Sequence, residues 1–394
     1  MSERVYVHIG APKTGTTFLQ DVMRKNHDVL AGKGIWYVGE RWRDHVHARF
    51  AVVEHPRLEM LDAAARDAWD RAVAEAARWP GHTAILSHEM LGSATPDQAS
   101  RALTALAPAE VHLVFTARNL VDHVLAVWQE QLKWRSTIPL SKWRPAEDDV
   151  GPHSDWSWRT MDPVAVLRRW QGNLDPARVH VVTVPRSPAE PDELWNRFAA
   201  ACGIPAGSCD LAVARPNKSM GAVEAELLRR INVKVGDSIR ERTEIGRWMR
   251  QYLAHTVLVP REGPRLVLRE EYVTELRGRA REARAALEAA GYDIIGDLDD
   301  LLPLDPPRAG IHPDDLDAAT LLDAATDTIA AVLLTVKERT EERDAAREKL
   351  SAARATVADL RAQRVGPLGR LERKFMRDRP ARRGRPQRRE RLPD

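Results

Sequence analysis

Residues 5–20, VYVHIGAPKTGTTFLQ, constrain the fold more than any other stretch. Val5, Val7 and Ile9 alternate with Tyr6 and His8, as in a strand packed in a parallel sheet. Gly10 and Gly15 then allow a tight turn whose backbone N–H groups can converge on one point. Thr16 and Thr17 open a helix whose positive dipole end faces that same point, and Lys13 adds a full charge. A strand, a cationic loop and a helix in this order make an anion cradle, and they call for an α/β architecture.

The rest of the chain agrees. His82–Ser87, Val111–Thr116 and Arg178–Val184 read as further buried strands, separated by helical patterns near 58–78, 96–107, 121–133 and 163–171. Strands alternating with helices predict a P-loop-like three-layer α/β sandwich around a central parallel sheet, with ligands at the carboxyl ends of the strands. Residues 35–55 look loop-rich. Residues 139–160, rich in Pro, Trp, Asp and Ser, read as a long loop of lid type. With 394 residues and 43% apolar side chains, burying a core is no obstacle.

We expect one domain over 1–302, a proline-rich linker at 303–313, a long helix over 314–364 and a disordered basic tail from 365 on. In the helix, Leu322, Ile329, Val336, Arg343, Leu350 and Val357 recur every seven residues. Ala325, Val332, Arg339, Ala346, Ala353 and Leu360 follow three places later. This flawed heptad fits self-association into a homo-oligomer, and fits equally a long helix that lies back on its own domain or stands mostly in solvent. After Gly366 the chain has eleven Lys/Arg against four acids, so the formal charge of +3 is a property of the tail. The tail suits contact with an acidic membrane surface or nucleic acid, or plain solvation.

Two cysteines, Cys202 and Cys209, give no disulfide framework. We find no leader and no run of membrane-spanning length, and expect a cytoplasmic protein. Asp44-His-Val-His47 lacks further ligands at telling spacing, so no metal is expected.

A nucleoside-triphosphatase loop would put its lysine after the second glycine, where Thr16 stands here. The pattern Gly10-x-Pro12-Lys13-Thr14-Gly15-Thr16-Thr17 instead resembles the 5′-phosphosulfate loop of the sulfotransferase family, notably its bacterial members, over roughly residues 1–300. The resemblance implies transfer of a sulfuryl group from 3′-phosphoadenosine 5′-phosphosulfate, without metal, to a hydroxyl or amine of a carbohydrate, glycolipid or small-molecule acceptor. It also implies a 3′-phosphate site: Arg118 at the end of the third strand matches the family's arginine, whereas Ala126 stands where a serine is usual. That substitution removes one hydroxyl donor, for about 1 kcal/mol. Asn217, Lys218 and Ser219 precede a strong helix where relatives close a basic loop over this phosphate. Asn217 or Ser219 would equally serve as a helix cap.

In-line transfer needs charge neutralisation at the leaving phosphate, a role for Lys13 with the loop amides and the two threonines. It also needs a base for the acceptor's proton. Glu89 and His88, at the end of the second strand, are both candidates, with Glu89 preferred. The alternatives are a P-loop small-molecule kinase and a decayed nucleotide-binding scaffold acting through its C-terminal helix.

Overall fold

The computed structural model describes residues 2–39, 41–147, 156–186, 190, 192–212 and 219–365. Six strands form one sheet: β1 (Arg4–His8), β2 (Ile35–Tyr37), β3 (Thr83–Ser87), β4 (Glu110–Ala117), β5 (Val179–Thr183) and β6 (Asp293–Ile295). Their order is β2-β3-β1-β4-β5-β6, and every pairing is parallel. The chain leaves β1 toward β3 and returns to its other side at β4. The carboxyl end of β1 is therefore the switch point at which an open α/β sheet has a crevice.

Alternation sorts the strand side chains onto two covered faces. Val5, Val7, Leu86, Leu113, Phe115 and Val181 pack with Trp69, Ala99 and Trp170 from the helices Ala68–Arg78, Pro96–Thr104 and Pro163–Gln171. Tyr6, Ile85, Val114 and Val182 point the other way, against Leu19, Met23, Trp195 and Phe198 of the helices Thr16–Lys25 and Glu193–Ala201. Both faces are dry, so the fold is a three-layer α/β sandwich. A separate apolar cluster joins the helices Leu120–Lys133, Ala222–Val235 and Glu270–Ala289. It also buries Trp143 and Trp158, which form wall rather than a free aromatic platform.

The sequence pattern missed β2 and β6, each three residues long and too short to show alternation. The segment expected to be loop-rich holds β2 and the helix Trp42–Val52. The helical run near 58–78 is broken, because the Asp62 carboxylate accepts the Ala65 N–H at 2.9 Å and restarts the chain as a new helix.

The chain divides into two compact units, 1–326 and 327–394. The first runs past the proline-rich stretch, whose Pro303 and Pro307 line a cavity with Leu125 and Val273. The helix Ala318–Val365 starts within it, burying Leu321 and Ala324. In the second unit Ile329, Val336, Leu350 and Val357 stand exposed. Within Ala318–Arg361 lies a stretch long and apolar enough to cross a membrane by length and composition, correcting the expectation that no run approaches that size. The basic tail lies outside the described residues, from 366 on.

Candidate functional site

The loop between β1 and the helix Thr16–Lys25 is tied down by its carbonyls. Gly10 O accepts from the Thr116 N–H at 2.6 Å and the Thr116 hydroxyl at 2.8 Å. Ala11 O accepts from the Thr14 hydroxyl at 2.6 Å, Pro12 O from His123 Nε2 at 2.6 Å, and Lys13 O from Arg118 Nη1 at 2.9 Å. With the carbonyls bonded inward, the loop's dipoles point their positive ends outward. Gly15, the N-cap of the following helix, has no side chain to satisfy the first-turn amides, which leaves them for a ligand.

Backbone geometry explains the glycines. Gly15 has φ 90° and a Cβ there would come within 2.5 Å of Leu194. At Gly10, φ is 147° and a Cβ would meet Glu89 O at 3.1 Å. Lys13 itself sits in the left-handed region at φ 65°, uncommon for a side-chain-bearing residue and a sign that its neighbours impose the turn.

Of the residues singled out in the loop, Thr14 and Thr16 are buried and Thr17 is exposed. The Thr14 hydroxyl is committed to Ala11 O and Thr116, so Thr14 braces the loop and has only its amide to offer outward. Pro12 is buried, and His123 holds its carbonyl. Burial, with the Arg118 and Lys13 charges, brings the His123 pKa down to about 3, so this imidazole is a neutral donor at Nε2.

Lys13 reaches along the Leu120–Lys133 helix to Glu130, with Nζ 2.9 Å from Oε2. The same carboxylate takes Arg250 Nε at 2.9 Å and Lys133 Nζ at 3.7 Å. Burial opposes the Glu130 charge, but the three cations outweigh it and hold the group well below the usual carboxylate range. Burial also brings Lys133 down to about 8. Arg250 comes from Ile245–Leu258, a π-helix capped by Val259, whose N–H bonds back to Ala254 O.

Arg118 follows β4, next to β1 in the sheet. It opens onto a cavity of about 300 Å³ lined also by Ala126, Gln129, Ser219, Arg265 and Arg308. Burial lowers the Arg118 pKa, and the Arg308 and Arg265 charges add to this while Asp122 opposes it. Among the described residues, three guanidiniums thus face one polar cavity with a single carboxylate, Asp122, 3.8 Å from Arg308. Ser219 lines the same cavity. Asn217 and Lys218 lie outside the described residues.

Glu89 and His88 follow β3, on the other side of β1. Gln20, from the helix after the loop, donates to Ser87 Oγ at 3.1 Å and to Glu89 Oε2 at 3.2 Å. Burial would raise the Glu89 pKa, but His88, its own N–H and Gln20 hold it below the ordinary value. Burial takes His88 down to about 4. Its Nδ1 accepts the Met90 N–H at 3.1 Å, so the proton of neutral His88 sits on Nε2. His88 is therefore arranged as a donor and Glu89 as an acceptor.

The ends of β3, β1 and β4 thus bring together Glu89 with His88, the Lys13 loop and Arg118. Thr116, His123, Glu130, Arg265 and Arg308 went unrecognised in the sequence. Thr116 and His123 flank Arg118 and carry no motif of their own. Arg308 lies in the stretch expected to be a linker. Among the described residues no group of three His, Cys, Asp or Glu side chains is placed to hold a metal ion.

No family model and no curated protein matches the chain. Among solved structures, the crystal structure of a sulfotransferase from Alicyclobacillus acidocaldarius is similar over 62% of this chain and 98% of its own, at 15% identity and a TM-score of 0.39. A likeness this loose carries no conclusion about activity.

Proposed function

We propose that this protein is a sulfotransferase, moving a sulfuryl group from 3′-phosphoadenosine 5′-phosphosulfate to an acceptor hydroxyl. One observation carries the reading: two cationic sites at the ends of the neighbouring strands β1 and β4, linked by the Arg118–Lys13 carbonyl bond. A donor bearing phosphates at both ends of a nucleoside needs such a pair of sites. The loop amides with Lys13, Thr16 and Thr17 suit the 5′ end. The cavity of Arg118, Arg265 and Arg308, with Ser219, suits the 3′-phosphate, since guanidiniums grip phosphate through paired charge-assisted bonds. Arg265 and Arg308 compensate for Ala126, where the family's serine is missing; Asn217 and Lys218 are held as further contributors.

The chemistry assigned to these residues is an in-line displacement. The acceptor oxygen bonds to sulfur as the bond from sulfur to the bridging phosphate oxygen breaks. The acceptor's proton passes to Glu89, and 3′-phosphoadenosine 5′-phosphate departs. Lys13 neutralises the charge that develops on the leaving oxygen. To do so it exchanges part of its bond to Glu130 for the phosphate. Glu130 is too acidic in this setting to serve as base, and acts as counter-ion. His88, donating from Nε2, orients the acceptor or steadies Glu89.

Calorimetric titration with 3′-phosphoadenosine 5′-phosphate, without metal, tests the reading. The parent is expected to bind with micromolar affinity, and Arg308→Ala about tenfold more weakly, the loss of one charge-assisted pair. Binding confined to adenosine triphosphate with magnesium would overturn it in favour of a kinase.

A further inference from the structure

The end of the Leu120–Lys133 helix gathers more positive charge than the donor uses. Ala126, Glu130 and Lys133 recur on one of its faces, so Glu130 lies about 6 Å and Lys133 about 10 Å along the axis from Ala126, which lines the Arg118 cavity. Lys13 meets this face at Glu130. Lys133 lies one turn further on. Arg250 leans the same way, with its guanidinium 5.7 Å from the ring centroid of Trp134, the residue that caps the helix. Both cations therefore stand past Lys13, on the side away from the cavity assigned to the 3′-phosphate. Arg242 joins them, 4.1 Å from the same ring centroid.

Among the described residues Glu130 is the only carboxylate paired with Lys13, Lys133 or Arg250, which leaves two positive charges in excess. Lys13 alone balances Glu130. A second ammonium with only 6% of its side chain exposed, and a guanidinium beside it, repel each other and Lys13 until a further anion arrives. The same corner holds an orphaned polar atom. His255, on the π-helix that carries Arg250, has a buried Nε2 with no hydrogen-bond partner among the described residues. Burial, with the Lys133 and Arg250 charges, brings its pKa down to about 4, so it is neutral. The cations also lead toward the proposed base: the Arg242 charge bears on His55, and that of Arg49 on both His55 and His88, which precedes Glu89.

We propose that Lys133 and Arg250, with Arg242, bind an anionic group on the acceptor, so that the protein sulfates hydroxyl compounds that already carry a carboxylate, sulfate or phosphate. The inference rests on the sulfotransferase reading. Arg250 Nε is one carboxylate and two hydrogen bonds from Lys13 Nζ, about 8 Å at most, a span that a small molecule bridges between its charged group and its reacting hydroxyl. A guanidinium fork suits an oxyanion. A neutral acceptor would leave the excess charge as it stands, and a cationic one would be repelled. The hydroxyl oxygen bonds to sulfur, its proton passes to Glu89, and the bond from sulfur to the bridging oxygen breaks as 3′-phosphoadenosine 5′-phosphate leaves. The acceptor's own charge stays on Arg250 and Lys133 throughout.

The test uses the full chain loaded with 3′-phosphoadenosine 5′-phosphate and calorimetric titration with matched pairs, 4-hydroxyphenylacetate against 4-hydroxyphenylacetamide and glucuronate against glucose. Each titration is repeated on Arg250→Gln, with Lys133→Gln as a second variant should the first misfold. It is repeated again on Glu89→Gln loaded with 3′-phosphoadenosine 5′-phosphosulfate, where the sulfuryl group stays in place. Bisphosphate affinity is measured in parallel. At least one carboxylate is expected to bind about tenfold or more tightly than its neutral partner, to keep that preference beside the sulfuryl donor, and to lose it in Arg250→Gln. Equal binding within both pairs, no binding of either carboxylate, or a preference that survives in the variant overturns the anionic acceptor. So does a carboxylate that the sulfuryl donor displaces, which would assign these cations to the sulfuryl group. In a protein that binds the bisphosphate, each of these outcomes leaves the donor reading standing. A carboxylate preference that Arg250→Gln abolishes, in a protein that ignores the bisphosphate, sinks the sulfotransferase reading and keeps the anion site.

Discussion

Replacing Glu130 by Gln removes the only carboxylate that, among the described residues, pairs with Lys13, Arg250 and Lys133, whose nitrogens lie 2.9, 2.9 and 3.7 Å from its oxygens. Each contact is worth roughly 4 kcal/mol of gross attraction at the effective dielectric of a protein. Unpairing a buried ion typically costs about 3–5 kcal/mol net. Lys13 and Arg250 keep 30% and 37% of their side-chain surface exposed, which screens them. Lys133, already near 8 with its counter-ion present, would shed its proton once that counter-ion is gone. Both effects put the expected loss at the low end, about 3 kcal/mol. Urea unfolding of parent and variant, each with and without 3′-phosphoadenosine 5′-phosphate, reads it. Because Lys13 no longer has to leave a carboxylate, the bisphosphate should stabilise the variant more than the parent. An apo variant within about 1 kcal/mol of the parent, or a smaller ligand increment in the variant, would refute the reasoning.

Glu89→Gln is expected to cut turnover by a factor of about 100 or more with bisphosphate affinity unchanged, as for loss of a general base; His88→Gln, which keeps a donor, should retain most activity. Ala126→Ser restores a hydroxyl at the edge of the Arg118 cavity and should tighten the bisphosphate by at most about 1 kcal/mol, read by calorimetry. His8 and His123, fully buried with pKa values brought to about 4 and 3 mainly by burial, stay neutral in the fold but take up protons when unfolded. Their contribution is complete above the unfolded pKa near 6.5 and is lost as pH falls toward 4 and below, so unfolding free energy should drop by about 2 kcal/mol per histidine between pH 7.5 and pH 5. A urea midpoint that is flat over that interval would contradict this.

The core of the sheet was legible because β1, β3, β4 and β5 are buried on both faces and five to eight residues long, enough for apolar runs to register. The edge strands β2 and β6 form through pairing with β3 and β5 and leave no local pattern. The loop from Gly10 to Thr17 was legible because left-handed backbone, lysine and threonine stand next to each other. Thr116, His123 and Glu130 were not, since what gives them meaning is a contact across more than a hundred residues of chain with Gly10, Pro12 and Lys13. Arg265 and Arg308 meet Arg118 in the same way, through tertiary packing that prolines at 303, 306 and 307 disguised as a linker. The preference for Glu89 over His88 gained its physical basis only from the Met90 N–H, which occupies the histidine's one lone pair.

The central claim is that the Lys13 loop binds the 5′ end of a bisphosphate nucleoside. Its most direct test is isothermal titration of 3′-phosphoadenosine 5′-phosphate into the parent and Lys13→Ala proteins, without metal and with adenosine triphosphate as comparison. The account predicts micromolar binding to the parent that Lys13→Ala weakens at least about tenfold, with the bisphosphate preferred over the triphosphate. Equal binding by parent and variant, or no binding of the bisphosphate at all, would contradict it.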